Sequence, residues 1–352
     1  MKSNASRPRT GPGRPVRVLA IGECMTELVH LDGCTLRLGY AGDTFNTAVY
    51  LARCTDPGQV EVDYLTMLGN DHYSEGIVAA LRREGIGTAP VQRIDGAQPG
   101  LYLVDTDAAG ERTFTYYRSQ SAARQLFGPL CPPEVDRLPA EYDVVYLSAV
   151  TLHILPPRAR ERLLTALRAA RARGTDVVFD SNYRPAGWPD PGTARAAVSA
   201  AWRLTTIALP TFTDEAALFD DSSAAGSVAR LTGLGIPEVV VKDGARGCVV
   251  WDGERPRPVA VTAVPSIVDT TAAGDAFNGG YLAARLTGSD PLTAARRAGT
   301  LAGQVIGHRG AVLPAAVLPP RAYRAEDNTA PRPPADAVAV GGAARTRTKD
   351  AR

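Results

Sequence analysis

Seven short, nearly unbroken apolar runs recur along the chain, and they constrain its fold more than any other feature. They are VRVLAIG (16–22), VDYLTMLG (62–69), YDVVYLSAV (142–150), DVVFDSN (176–182), TTIALP (205–210), PEVVVKDG (237–244) and GCVVW (247–251). Runs this apolar and this short suit strands covered on both faces. Helical patterns fall between most of them. Thr44–Arg53 puts Phe45, Ala48, Val49 and Ala52 on one face, and a second helix starts at Asp71 and runs to about Gly85. The β-then-α rhythm predicts an α/β fold with a mostly parallel sheet and helices on both faces. With 45% hydrophobic residues in 352, the chain can build a full core.

Two segments break the rhythm. Glu27–Gly39 and Gly100–Arg118 read as hairpin-like β pieces, the second with turn chemistry at Asp107–Gly110. Together they predict a small β flap over one edge of the sheet. Residues 1–15 and 320–352 are rich in Pro, Ala, Arg and Gly without periodicity and are expected to be disordered tails.

Bulk properties exclude several classes. A net charge of +2 gives no electrostatic case for a nucleic-acid partner. No apolar run reaches membrane-spanning length, and the start, MKSNASRPRTGPGRP, has no apolar region of a secretory signal. The five cysteines (24, 34, 54, 131 and 248) form no CxxC, which predicts free thiols and a cytoplasmic protein. The four histidines are scattered, so no zinc site is readable. Lys242 is the only lysine outside the tails.

The stretch DTTAAGDAFNGG (269–280) carries the chemistry. A helical pattern follows Gly274, with Phe277, Tyr281 and Ala284 at i, i+4 and i+7. Asp275 therefore stands at a helix start, where free N–H groups cluster. A capping role accounts for the carboxylate alone. It does not account for the small residues ahead of it, which leave backbone donors open to an anion. A site for a transferring phosphoryl group needs both those donors and a base. There is no GxxxxGK[ST], no GxGxxG after the first strand and no GxSxG, so the P-loop, dinucleotide-binding and nucleophile-elbow readings lack support.

DTTAAGDAF resembles the C-terminal signature of the ribokinase-like (phosphofructokinase-B type) sugar kinases, and AGDTFNTAVYLAR (41–53) resembles their N-terminal one. Within that group, GERTFTYYR and FDSNYR are most similar to the 2-keto-3-deoxygluconate kinases. The resemblance implies a three-layer ribokinase-like domain over 16–319 with a β lid near 27–40 and 98–118. It also implies ATP and Mg²⁺ as cofactors, a sugar acid as substrate and a homo-oligomer.

By this resemblance Asp275 is the general base, and the backbone of Ala272, Ala273 and Gly274 is the anion hole. Gly42, Asp43 and Asn46 hold sugar hydroxyls, or else only start a helix. Tyr116 and Arg118 share a strand face, with Tyr102 on the partner strand. With Arg184 they would receive a carboxylate, though a solvent-facing hairpin is the plainer reading. Asn182, Lys242, Gly244, Gly247, Thr271, Gly274 and Gln304 are the implied ATP contacts. Asp180, Asp214 and Glu215 are metal candidates; many relatives have Asn-x-x-Glu where this chain has Thr211–Asp214. Asp180 and Asn182 could instead only make a turn. Asp269 either helps bind a monovalent cation such as K⁺ or shapes the turn. Kinases of fructose, ribose or adenosine, and a non-catalytic sugar-binding protein, are the alternatives.

Overall fold

The computed structural model describes residues 13–106, 112–261, 264 and 266–318. The expected tail 320–352, all but the end of the tail 1–15, and the turn at Asp107–Gly110 lie outside the described residues.

The described strands are β1 (Val16–Ile21), β2 (Met25–His30), β3 (Leu36–Ala41), β4 (Val60–Leu65), β5 (Met67–Leu68), β6 (Gln92–Arg93), β7 (Leu101–Thr106), β8 (Arg112–Tyr117), β9 (Val144–Ser148), β10 (Asp176–Asp180), β11 (Ile207–Ala208), β12 (Glu238–Lys242), β13 (Cys248–Trp251) and β14 (Pro256–Val259). The helices are α1 (Asp43–Arg53), α2 (His72–Arg83), α3 (Ala149–Ile154), α4 (Pro157–Ala172), α5 (Pro191–Trp202), α6 (Phe212–Phe219), α7 (Ala224–Gly233), α8 (Ala273–Leu286) and α9 (Pro291–Ile306).

The main sheet has the order β14-β13-β12-β11-β10-β9-β1-β4. It is parallel from β12 to β4, and β13 and β14 add antiparallel at one edge. Strand alternation divides the apolar runs between two cores. Val18, Ala20, Val144, Tyr146 and Val178 face the core that contains residues of α1, α2, α8 and α9. Leu19, Ile21, Val145, Leu147, Val177 and Phe179 face the core shared with α3, α4, α5 and α7. The predicted mostly parallel sheet with helices on both faces is therefore present.

The two excursions form one sheet, in the order β3-β2-β7-β8. Two antiparallel hairpins join through parallel pairing of β2 with β7. Val29, Tyr102 and Val104 on its inner face share a small core with Met25, Ala41 and Ala311. Leu36, Leu38 and Tyr117 stand exposed on the other face.

Some boundaries differ from the sequence expectation. The run TTIALP yields strand only at Ile207–Ala208. YDVVYLSAV ends as strand at Ser148, whose hydroxyl accepts from Val150 N at 3.1 Å and starts α3. Asp71 caps α2 as expected, accepting from Tyr73 N at 2.9 Å and Ser74 N at 3.2 Å. All five cysteines are free. No described helix is long and apolar enough to cross a membrane.

Candidate active site

Polar side chains gather where open α/β sheets place their ligands, at the carboxyl ends of the strands. Glu23 follows β1, Ser148 ends β9, Asp180 ends β10 and Lys242 ends β12. The N-termini of α1 and α8 supply Asp43, Asn46 and Asp275. Gly42 precedes α1 because no side chain fits there: a Cβ would lie 2.2 Å from the Glu23 carbonyl oxygen.

Asp275 lies in the first turn of α8 and is partly exposed. Asn46 Nδ2 donates to its Oδ2 at 2.8 Å, and Thr47 Oγ1 donates to its backbone oxygen at 3.2 Å. Burial first, then the Asp43 and Asp180 carboxylates, push the Asp275 pKa up to about 8; the Asn46 hydrogen bond and Lys242 pull against them. A carboxyl so placed binds a proton near neutral pH, as a general base must.

Ahead of it, Ala272 holds a left-handed φ of 60° and no side chain caps the helix. Residues 271–275 are all partly exposed. The nearest atom to a Cβ placed on Gly274 would be Lys242 Nζ, at 3.6 Å. The turn thus sets the Ala272 and Gly274 N–H groups beside a buried ammonium, while Ala273 N already reaches the Thr270 carbonyl at 3.3 Å.

Lys242 is the finding that most changes the sequence reading. Expected as a nucleotide contact on the turn after β12, it points inward and is buried. Its Nζ donates to Asp180 Oδ2 at 2.8 Å and Asn278 Oδ1 at 2.9 Å. Asn278 in turn donates to Asp180 Oδ2 at 2.7 Å and to the Tyr146 hydroxyl at 3.1 Å. Asn182, also expected at the nucleotide, donates to Asp43 Oδ2 at 2.7 Å, and Ser148 Oγ donates to the same oxygen. Asp43 and Asn182 are therefore one polar unit across two elements.

The lid contributes at two points. Tyr102 and Tyr116 pair across the strands with ring centroids 5.6 Å apart, and Arg118 Cζ lies 5.8 Å from the Tyr116 ring centre. Arg118 is ion-paired to the buried Glu23. At the other end of β8, Arg112 NH1 meets Asp269 Oδ2 at 2.6 Å and donates to Thr271 Oγ1 at 3.2 Å. Asp269 thus takes the turn-shaping role, also accepting from Thr271 N at 3.0 Å and Gly310 N at 2.7 Å.

The remaining candidates are less concentrated. Arg184 is exposed, and the carboxylate it meets is Asp214, at 3.8 Å. Burial, then the Asp180 carboxylate, raises the Asp214 pKa to about 6. Glu215 does not join this pair. It is fully buried, ion-paired to Arg230 on the side of Asp221, and burial raises its pKa to about 7. The three expected metal residues thus reduce to Asp180 and Asp214, and no group of three or more His, Cys, Asp or Glu suited to a metal ion occurs among the described residues. Gly244 and Gly247 lie on the turn between β12 and β13 with φ of 55° and 90°; a Cβ on Gly247 would lie 2.1 Å from the Val259 oxygen. Gln304 is exposed near the end of α9.

Glu23, Arg112, Tyr146, Ser148 and Asn278 were given no role from sequence. Asn278 had a readable signal, since it follows Asp275 by three residues on one helix face. The others are partners that only the tertiary fold supplies.

The family model for pfkB family carbohydrate kinases matches residues 16–317. The chain belongs to the pfkB carbohydrate kinase family. As a pfkB carbohydrate kinase it is 42% identical over 305 residues to the 2-dehydro-3-deoxygluconokinase of Dickeya dadantii, covering 86% of this chain and 98% of that one. It is 40% identical over 306 residues to the 2-dehydro-3-deoxygluconokinase of Escherichia coli K12, covering 86% and 99%. The fold is shared with the crystal structure of 2-dehydro-3-deoxygluconokinase from Thermotoga maritima, at a TM-score of 0.73 and 20% identity, covering 86% of this chain and 95% of that one.

Proposed function

We propose that this kinase transfers the γ-phosphoryl group of ATP to the primary hydroxyl of 2-keto-3-deoxygluconate, giving 2-keto-3-deoxy-6-phosphogluconate. The observation that carries the reading is Asp275: a partly exposed carboxyl with raised proton affinity, one residue past a turn of open backbone donors. In this reading Asp275 takes the proton of the sugar hydroxyl. The N–H groups of Ala272 and Gly274 donate to phosphoryl oxygens, Ala273 N joins them by giving up its 3.3 Å bond to the Thr270 carbonyl, and Lys242 adds a positive charge beside them. Mg²⁺ supplies charge neutralisation on the phosphates. Asp214, whose proton affinity burial and the Asp180 carboxylate raise, is the residue that would hold it or its waters, with Asp180, already paired to Lys242, beside it. Asp269 already carries the Arg112 guanidinium, so K⁺ at that carboxylate is not part of the reading.

Three buried polar atoms without partners support a polyhydroxy ligand: Asn46 Oδ1, Glu23 Oε1 and Arg118 Nε. Each is expensive to leave unpaired: Asn46 Oδ1 and Glu23 Oε1 can accept from sugar hydroxyls, and Arg118 Nε can donate to a hydroxyl or a carboxylate. Burial first, then Arg118, Arg124, Arg160 and Arg184, lower the pKa of His153 to about 3. The relatives named 2-dehydro-3-deoxygluconokinase support the same substrate.

One observation favours a neutral ketose instead. Glu23 already balances the charge of Arg118. Replacing Arg118 decides between the two: Arg118→Ala should raise the KM for 2-keto-3-deoxygluconate about tenfold or more and leave fructose kinetics little changed. Equal effects on both sugars would remove the carboxylate role. The kinase reading itself is tested by Asp275→Asn, which should bind ATP and release no ADP above a trace.

The reading extends to a cytoplasmic homo-oligomer. The exposed Leu36, Leu38 and Tyr117 on the outer lid face support association through that surface.

A further inference from the structure

The turn that would hold the phosphoryl group is strained. Ala272 has a β-carbon and a left-handed φ of 60°, which costs about 1 kcal/mol or more for a residue other than glycine. Such a conformation persists only where its surroundings over-determine it. Within the turn, Ala273 N reaches the Thr270 carbonyl at 3.3 Å and Ala276 N the Ala272 carbonyl at 2.8 Å. The segment leading into it is held through Asp269, whose carboxylate gathers Thr271 N, Gly310 N and Arg112. Arg112 grips two side chains of that segment, the Asp269 carboxylate and the Thr271 hydroxyl. It is the one member of the group that comes from the lid.

Strand geometry gives this contact a further consequence. Residues 112, 114, 116 and 118 fall on one side of an extended chain. Phe114 and Tyr116 stack with ring centroids 6.3 Å apart, and Tyr116 leads to Arg118 at the expected sugar end. A single strand therefore touches the phosphoryl turn at Arg112 and the sugar face at Tyr116 and Arg118. Ion pairs fix both ends, Arg112 to Asp269 and Arg118 to Glu23.

We propose that Arg112 is a positioning residue for phosphoryl transfer. It holds the Asp269–Gly274 turn in register with the sugar-binding face of the lid, so that one strand sets the geometry of both substrates. Arg112 touches neither reacting atom in this account; it acts through Asp269 and Thr271. The inference rests on the kinase reading above.

The arrangement makes a removal test informative. Asp269 is 8% exposed, and without Arg112 its carboxylate keeps the neutral donors of Thr271 and Gly310 but loses its cation in a buried place. A small planar cation from solution can then occupy the vacated position. The experiment measures ADP release and sugar phosphate formed by Arg112→Ala, with and without millimolar guanidinium chloride, beside the wild-type chain. The expected result is a fall in kcat of about 10–100-fold with the sugar KM within about threefold. Added guanidinium should restore a measurable part of kcat in Arg112→Ala and none in Asp269→Ala. An Arg112→Ala kcat within twofold of wild type overturns the proposal. So does a loss that guanidinium leaves untouched, since a generally weakened fold gives that result. Should Arg112→Ala not fold, Arg112→Lys replaces it: about tenfold lower kcat at unchanged KM is expected, and wild-type kcat overturns the proposal. A wild-type chain that releases no ADP with any sugar overturns the kinase reading instead, and the positioning role with it.

Discussion

Asp275 is held where burial and two neighbouring carboxylates oppose its charge. That has consequences for stability as well as for rate. A carboxyl whose pKa rises from an ordinary 3.8 to about 8 on folding binds more protons folded than unfolded between those values. Across that window its contribution to stability falls as pH rises. Asp275→Asn removes the burden, and its amide can still accept from Asn46. Its melting temperature should exceed that of the wild type by a few degrees at pH 8, with the gap closing toward pH 4, as read by calorimetry across pH. Turnover should fall by roughly 10²–10⁴ in the same variant. If Asp275 is the base, as proposed, it must be ionised, so kcat/KM should decline with unit slope as pH falls below about 8. Asn46→Ala removes a hydrogen bond that holds the pKa down, and should move this acid limb to higher pH.

At the scale of elements, the ends of β10, β12 and the first turns of α8 are joined by Lys242, Asp180 and Asn278. Lys242→Met leaves Asp180, 3% exposed, without its cation. The expected loss is about 3–5 kcal/mol in urea unfolding, because an uncompensated buried charge remains. Asp180→Asn added to it should recover part of that loss, and strict additivity would contradict the coupling. These contacts also show where sequence reading stops. The run PEVVVK declares a buried strand through its apolar residues, but nothing in it says that the lysine turns inward. β14 escaped notice because PRPV carries two prolines, which are tolerated only because it is the sheet's edge strand. β11 is shorter than TTIALP suggested, and Pro210 follows it closely. The two lid hairpins were legible from turn chemistry and alternation. Their union through β2 and β7 is a long-range pairing that local patterns do not encode.

At the scale of the whole molecule, two cores on opposite faces of one sheet leave the strand ends free for polar side chains, and the lid reaches them through Arg118–Glu23 and Arg112–Asp269. The outer lid face carries Leu36 and Leu38, side by side on β3 and exposed. Leu36→Glu with Leu38→Glu should shift sedimentation toward the monomer if copies meet there, and an unchanged profile would remove that surface from the account. The signatures around Asp43 and Asp275 were legible because each is local to one helix start. Glu23, Tyr146 and Ser148 were not, because each acts only through a partner that the sheet brings near: Arg118, Asn278 and Asp43.

The central claim is that one site combines a phosphoryl-transfer base with a receptor for a sugar acid. Steady-state ADP release with 2-keto-3-deoxygluconate, fructose, ribose and adenosine tests it most directly. The predicted result is a kcat/KM for 2-keto-3-deoxygluconate at least about 100-fold above the others, since buried polar groups left unpaired penalise the wrong substrate heavily. A neutral sugar or nucleoside that matches or exceeds it would contradict the account.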